Sequence, residues 1–316
     1  MRLIATLILA AALTLPARSQ TDTIKVPFVA YWSVGDSYNF KVTKVTQKWK
    51  EGALTNNDTS AYLANFLVTD STATAYTINW TYENNLKSDY QIPEELMDKF
   101  SKYRNSSVIY TTDELGTFQG INNWLELSSM VKGMFNDLLS VYDKEPGEVT
   151  ERVKKAMQPI MQIYSSKESI EGVVLKELQY LHFPYGVEFN SNDTIRYEEQ
   201  LPNMFGGNPI NGKAKIYFES VDTTESYCAL VNTMQLDPED TKRMLGEVFK
   251  KMGFSKEKEI KKMMKTATFE ISDINRYEYY YNPGIPIKTE TVRTSNIDIA
   301  DSKGKRIDKV IIEWVE

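Results

Sequence analysis

Asp36-Ser37-Tyr38-Asn39-Phe40-Lys41-Val42-Thr43-Lys44-Val45 alternates polar and apolar side chains almost residue by residue. A period of two puts every second side chain on one face, so the stretch 36–50 reads as a half-buried β-strand. Residues 60–69 and 73–83 repeat the pattern with β-branched and aromatic residues dominating, and Asp70-Ser71 is the expected turn between them. Val108-Ile109-Tyr110 predicts a further strand, and Gly116 marks a turn before Phe118.

The period then changes. Residues 124–142 place Leu125, Met130, Met134, Leu138 and Val141 at three-to-five-residue spacings, which predicts a helix with a broad apolar stripe. Pro146 precedes a second helical pattern over 147–164, with Pro159 as an expected kink, and a third runs over 167–182 until Pro184 and Gly186 stop it. Strands return at 194–201, 213–221 and 225–236. Asp237-Pro238-Glu239-Asp240 opens a helix reaching about Lys251, followed by a Lys-rich helix over 255–265. Three long strands close the chain, 267–281, 286–300 and 305–315, separated by Asn282-Pro283-Gly284 and Asp301-Ser302-Lys303-Gly304.

Helices do not alternate regularly with strands, so the order argues against a doubly wound parallel sheet and for α+β with an antiparallel sheet. The expected architecture is a long curved antiparallel β-sheet with helices packed on its concave face. Residues 20–316 are expected to form one domain, with Asn190-Ser191-Asn192-Asp193 as the candidate sub-domain boundary near 190.

The N-terminus carries Met1-Arg2, an uncharged run from Leu3 to Leu15, and Ala17-Arg18-Ser19, the layout of a secretory signal cleaved after residue 19. The apolar run is about a dozen residues, short of the roughly 20 that span a bilayer. Export to the periplasm or the extracellular space, as a soluble protein, is therefore expected. Cleavage removes Arg2 and Arg18, taking Lys+Arg from 37 to 35 against 43 Asp+Glu and the net charge from −6 to −8. An acidic chain argues against nucleic acid as a partner. With Cys228 alone, no intramolecular disulfide and no cysteine metal site can form, and its apolar neighbours suit a small buried hydrophobe.

Tests for chemistry fail. His182 is the only histidine, in the aromatic run Tyr180-Leu181-His182-Phe183-Pro184-Tyr185, and reads as a structural residue. There is no Gly-x-Ser-x-Gly elbow. Gly207-Asn208-Pro209-Ile210-Asn211-Gly212-Lys213 has phosphate-loop spacing, but Ala214 replaces the metal-binding hydroxyl and the following residues alternate as a strand. No cofactor and no catalytic residue is expected. A hydrolase using paired carboxylates stays open as an alternative, since acids are abundant and their separation is invisible in sequence.

Two binding features stand out. Met130, Met134, Leu138, Met157, Met161 and Met244 supply flexible side chains that suit the lining of an apolar cavity as well as ordinary packing. Lys256, Lys258, Lys261, Lys262 and Lys265 concentrate positive charge suited to an anionic membrane surface, or simply to a solvated helix face.

The opening strand after Gly35-Asp36, the segment from Tyr110 through Asp113-Glu114-Leu115-Gly116 to Asn123-Trp124-Leu125-Glu126, and the closing hairpins resemble an uncharacterised family of secreted Bacteroidetes proteins. Tyr279-Tyr280-Tyr281-Asn282-Pro283-Gly284-Ile285-Pro286 resembles a step in envelope proteins of the lipoprotein-carrier (LolA/LppX-like) fold. That resemblance implies an open, curved antiparallel sheet cupping helices over a lipid-binding cavity. The leading expectation is a non-enzymatic envelope protein binding a lipid or other hydrophobic ligand between sheet and helices. A structural or interaction module, docking through the Tyr-rich strand 277–281 or the sheet edges, is the alternative.

Overall fold

A computed structural model describes residues 24–83, 94–142, 161, 164–171, 176–201, 203, 207–251, 257–299 and 302–316. The N-terminal signal reading and most of the helix expected over 147–164 lie outside these residues. The chain is α+β. Its frame is one eleven-stranded antiparallel sheet in the order β6-β5-β4-β3-β2-β13-β12-β11-β10-β9-β8. The strands are β2 (Ser37–Lys50), β3 (Ala53–Ser71), β4 (Ala75–Glu83), β5 (Asn105–Asp113), β6 (Phe118–Ile121), β8 (Thr194–Leu201), β9 (Ile210–Asp222), β10 (Tyr227–Leu236), β11 (Thr268–Tyr280), β12 (Ile285–Ile299) and β13 (Ser302–Val315). A second, two-stranded sheet pairs β1 (Lys25–Phe28) with β7 (Val187–Asn190). The four longest α-helices among the described residues are α1 (Trp124–Tyr142), α2 (Lys176–His182), α3 (Pro238–Lys251) and α4 (Glu257–Thr266). No helix among the described residues is long and apolar enough to cross a membrane.

The sheet bends. Helix α2 packs against β6 as well as against β12 and β13, yet β6 and β13 stand five strand spacings apart in the sheet. Laid flat, that separation is about 24 Å, while a helix with its side chains is about 10–12 Å across. One helix touches both only if the sheet wraps around it, so α2 sits on the concave face. Register shifts between Lys48/Trp49, Val68/Asp70, Thr111/Thr112, Ala229/Leu230 and Glu278/Tyr279 supply the extra local twist that bulges give a strand.

An aromatic hub holds the wrapped state. Trp32, in the segment after β1, packs against Phe66, Tyr76, His182 and Tyr185 with ring centroids 5.0–5.9 Å apart. The Trp32 indole N–H and the Tyr185 hydroxyl both donate to the carbonyl of Gly284, at 3.2 and 2.9 Å. Gly284 has a φ of +86°, and a Cβ there would lie 2.0 Å from the backbone oxygen of Val29. Only glycine combines that left-handed backbone with so close an approach. Phe28 of β1 packs on Phe189, Phe218 and Tyr279, fixing the small sheet against the large one.

Several boundaries differ from the sequence expectation. Strand β3 begins at Ala53 and carries Asn56, Asn57 and Asp58, residues of low strand propensity that the ladder with β2 enforces. The turn expected at Asp70-Ser71 falls one step later, closed by Thr72 N–H donating to Ala75 O at 2.9 Å. Ser302-Lys303-Gly304 already pair within β13. Of the helix expected over 167–182, Lys167–Ser169 and Lys176–His182 are α-helical and Ile170-Glu171 form a wide π-type turn, while residues 172–175 lie outside the described residues. Helix α3 is capped as expected, the Asp237 carboxylate accepting from the backbone of Glu239 and Asp240, and Asp240 ties it to β9 through Asn211.

Replacing Gly284 by alanine is expected to cost at least about 2 kcal/mol, because the added carbon meets backbone rather than a movable side chain. Equilibrium urea unfolding of Gly284→Ala beside the parent measures it; an unchanged midpoint would contradict the close approach.

Candidate functional site

Cross-strand partners share a face, and residues two apart along a strand do too. Three successive rungs of the concave face can therefore be read across the middle of the sheet. The first is Leu230, Tyr277, Thr289, Ile312, Val42 and Tyr62; the second is Asn232, Asn275, Thr291, Val310, Lys44 and Ser60; the third is Met234, Asp273, Arg293, Asp308, Thr46 and Asp58. The concave face thus passes from apolar to charged within two rungs. The first rung is sealed from Leu230 to Val42. The third is half-open.

Charge on this floor is organised in pairs. The Arg293 guanidinium grips Asp273 with Nε and Nη2 at 2.7 and 2.6 Å. Arg306 holds Asp308 in the same two-pronged way at 2.6 and 2.8 Å, and Thr46 donates to Asp308 at 2.9 Å. Glu177 of α2, only 5% exposed, pairs with Lys44 of β2 and accepts from the Tyr62 hydroxyl. Planar two-pronged pairs are the strong form of this contact. They matter because a half-desolvated charge without a partner is costly. Arg293 is walled in by protein, yet 39% of its side chain remains reachable by solvent, so the floor lies at the bottom of an open concavity. The bond to Asp273, followed by the opposing effect of burial, leaves its pKa above the usual arginine value.

Beside this floor, burial lowers the pKa of Lys176, and the Arg293 charge lowers it further, against the pull of Asp273, Asp308 and Glu177. Burial likewise raises that of Tyr180. Neighbouring buried positions include two hydroxyls, Tyr277 Oη and Thr289 Oγ1, with no hydrogen-bond partner among the described residues; the two residues are directly paired between β11 and β12.

The sequence-predicted lining residues lie elsewhere. Met130, Met134 and Leu138 on α1 pack with Phe100, Tyr103, Leu96 and Met97, and Met130, Leu138 and Met161 pack around Val131 and Phe135. Met244 is on α3 and belongs to neither group. Met157 lies outside the described residues. The void among the hub residues Trp32, Phe40, Phe66, His182 and Tyr185 measures about 10 Å³, too small for a ligand. Of the lysines, Lys258, Lys261, Lys262 and Lys265 lie on α4 and Lys256 falls outside the description. Lys262 and Lys265 are exposed. Lys265 also borders an open groove of about 1010 Å³ with Trp49, Lys242 and Lys305.

The remaining chemistry is sealed. His182 Nδ1 faces the Gly116 carbonyl at 2.8 Å, so it carries the proton, and Nε2 accepts from the Tyr110 hydroxyl at 2.8 Å. Both nitrogens are satisfied and the ring is buried. Cys228 is buried, with its thiol pushed up to about 12 by desolvation. Among the described residues, no three His, Cys, Asp or Glu side chains gather in a metal-binding group. Lys213 of the phosphate-loop-like segment lies within β9.

The chain matches no protein-family model and no curated protein. Sequence reasoning missed the floor residues, although a signal existed: Asp273, Arg293 and Asp308 occur in phase with Tyr277, Thr289 and Ile312, so the strand alternation that turns the latter inward turns the charges inward too.

Burial lowers the His182 pKa from 6.5 to about 4, partly opposed by the Gly116 bond and the Asp113 charge. Between those values the unfolded chain takes up a proton that the folded chain refuses. This contribution to stability is full above pH 6.5 and falls as the pH drops towards 4. It amounts to about 3 kcal/mol in all, of which about 2 kcal/mol is gone by pH 5. Urea unfolding at pH 7 and pH 5 should show the parent losing about 2 kcal/mol more than His182→Gln; parallel losses would place the acid sensitivity elsewhere.

Proposed function

We propose that this protein is an exported, non-enzymatic component of the cell envelope, periplasmic or extracellular, that holds a lipid or other amphipathic ligand between its bent sheet and its helices. The observation that carries this reading is the divided concave face: one half is filled by the aromatic hub, while the other is charged and open to solvent in the middle of an eleven-stranded sheet. A face serving packing alone would be apolar throughout. Half-buried charges on central strands are costly and are better explained by recognition than by support. The resemblance of the closing hairpin to lipoprotein carriers points the same way.

The other readings find less support. Paired-carboxylate hydrolysis needs two acids free to act across a cleft, whereas Asp273 and Asp308 are each engaged by both prongs of an arginine. Docking through the Tyr-rich strand needs exposed rings, whereas Tyr277 and Tyr279 are buried and Tyr280 and Tyr281 half-buried.

Protein purified from its native envelope fraction, extracted with organic solvent and analysed by lipid mass spectrometry, is expected to release about one amphipathic molecule per chain. Its intact mass should begin at Gln20. An empty extract, together with no uptake of a fluorescent fatty-acid probe by the washed protein, would end the carrier reading.

A further inference from the structure

The eleven-stranded sheet ends in two edges, and the chain treats them differently. The β6 edge is four residues long, shifts register against β5 between Thr111 and Thr112, and is packed against α2. Its Ile121 N–H is already taken by the Glu171 carboxylate at 2.7 Å. Short length, a bulge and a covering helix are devices that keep an edge from recruiting another strand. The β8 edge lacks the first two, and among the described residues β9 is its only strand neighbour. Its eight residues pair with β9 without a register shift, include no proline, and six of the eight are exposed. Tyr197 does not shield it: the hydroxyl accepts from Asn232 of β10 at 3.0 Å, so the ring lies back over β9 and leaves the edge backbone clear.

What β8 carries instead is charge, and its spacing selects one partner. Arg196 stands directly opposite Lys215 of β9, and Glu198 opposite Lys213. Like charges directly across a sheet destabilise the pairing, and Arg196 has no ion-pair partner among the described residues. A second β8, related by a two-fold axis normal to the sheet, runs antiparallel to the first and keeps each side chain on its own face. The axis then passes through one residue and its own copy. With the axis at Tyr197, Arg196 faces Glu198 of the second copy, and Glu198 faces the second copy's Arg196. Moving the axis by one residue sets Arg196 against Arg196 or Glu198 against Glu198. Only the Tyr197 register matches the charges.

We propose that the protein pairs with a second copy of itself through β8, antiparallel and centred on Tyr197, so that the two sheets run on as one. The occupant is a second copy because β8 is complementary to itself: it brings the carboxylate that Arg196 lacks. The axis leaves both concave faces open to the same side of the dimer, whether or not either holds a ligand.

Sedimentation equilibrium of the mature chain from about 1 to 500 μM is expected to show monomer and dimer in exchange. A Kd of about 10–100 μM suits an interface below the standard size. Arg196→Glu or Glu198→Arg alone sets like charge against like and should weaken the dimer at least about tenfold. The double variant reverses both signs and should return the Kd to within about threefold of the parent. All three should melt within about 3 °C of the parent, because both side chains are exposed. Oxidised Tyr197→Cys should form a disulfide-linked dimer, since directly opposed residues of an antiparallel pair lie within disulfide reach. Ile195→Cys, which faces Glu199 of the second copy in this register, should not. A parent that stays monomeric throughout, a dimer indifferent to both single reversals, a double variant that does not recover, or cross-linking through residue 195 rather than 197 would each overturn the proposal.

Discussion

One backbone carbonyl, that of Gly284, holds the wrapped sheet together. It receives the indole N–H of Trp32 and the hydroxyl of Tyr185, so a turn between β11 and β12 is clamped to the segment after β1 and to the end of α2. Next to it, His182 joins the Tyr110 hydroxyl on β5 to the Gly116 carbonyl at the following turn. These four bonds are buried, and buried polar groups gain little by pairing but lose much by being left alone. Each therefore acts less as glue than as a specification, favouring the arrangement in which the two arms of the sheet close around α2 with all four partners in place. The choice of a neutral, single-tautomer imidazole for this position follows from the same logic.

The strands were legible because their chemistry is local. Tyr38, Phe40 and Val42 alternate with Asn39 and Lys41, and period two admits one reading; likewise α1 coincides with the apolar spacing from Leu125 to Val141. What stayed hidden depends on partners far away in the chain. Strands β1 and β7 have four residues each and no alternation long enough to register, and each exists because the other covers it. Asn56 to Asp58 form a strand only because β2 continues alongside. The bend is read neither from period nor from propensity; it appears only when α2 is found touching strands at opposite sides of the sheet.

The floor was hidden for a different reason. Charged residues in a strand are ordinarily assigned to the solvent face, which hides Arg293, Asp273 and Asp308 from a reading of local pattern, whereas methionines at helical spacing suggest a lining. The phase of the neighbouring buried residues gives the opposite assignment. The methionines of α1 instead gather with Phe100, Tyr103, Val131 and Phe135 in small clusters, the gap-filling use that suits a flexible thioether.

The central seam of the sheet joins β2 to β13, with Lys50 opposite Gly304. In any chain synthesised from its amino end, β2 must wait for more than two hundred residues before its neighbour exists. Until then two half-sheets hang with open edges, and long-range pairing of this kind is slow and exposed to misassembly. Of the described strands the one that locks the two halves is made after all the others, so a chain without it is not a smaller protein but two unsealed borders searching for any strand to adopt.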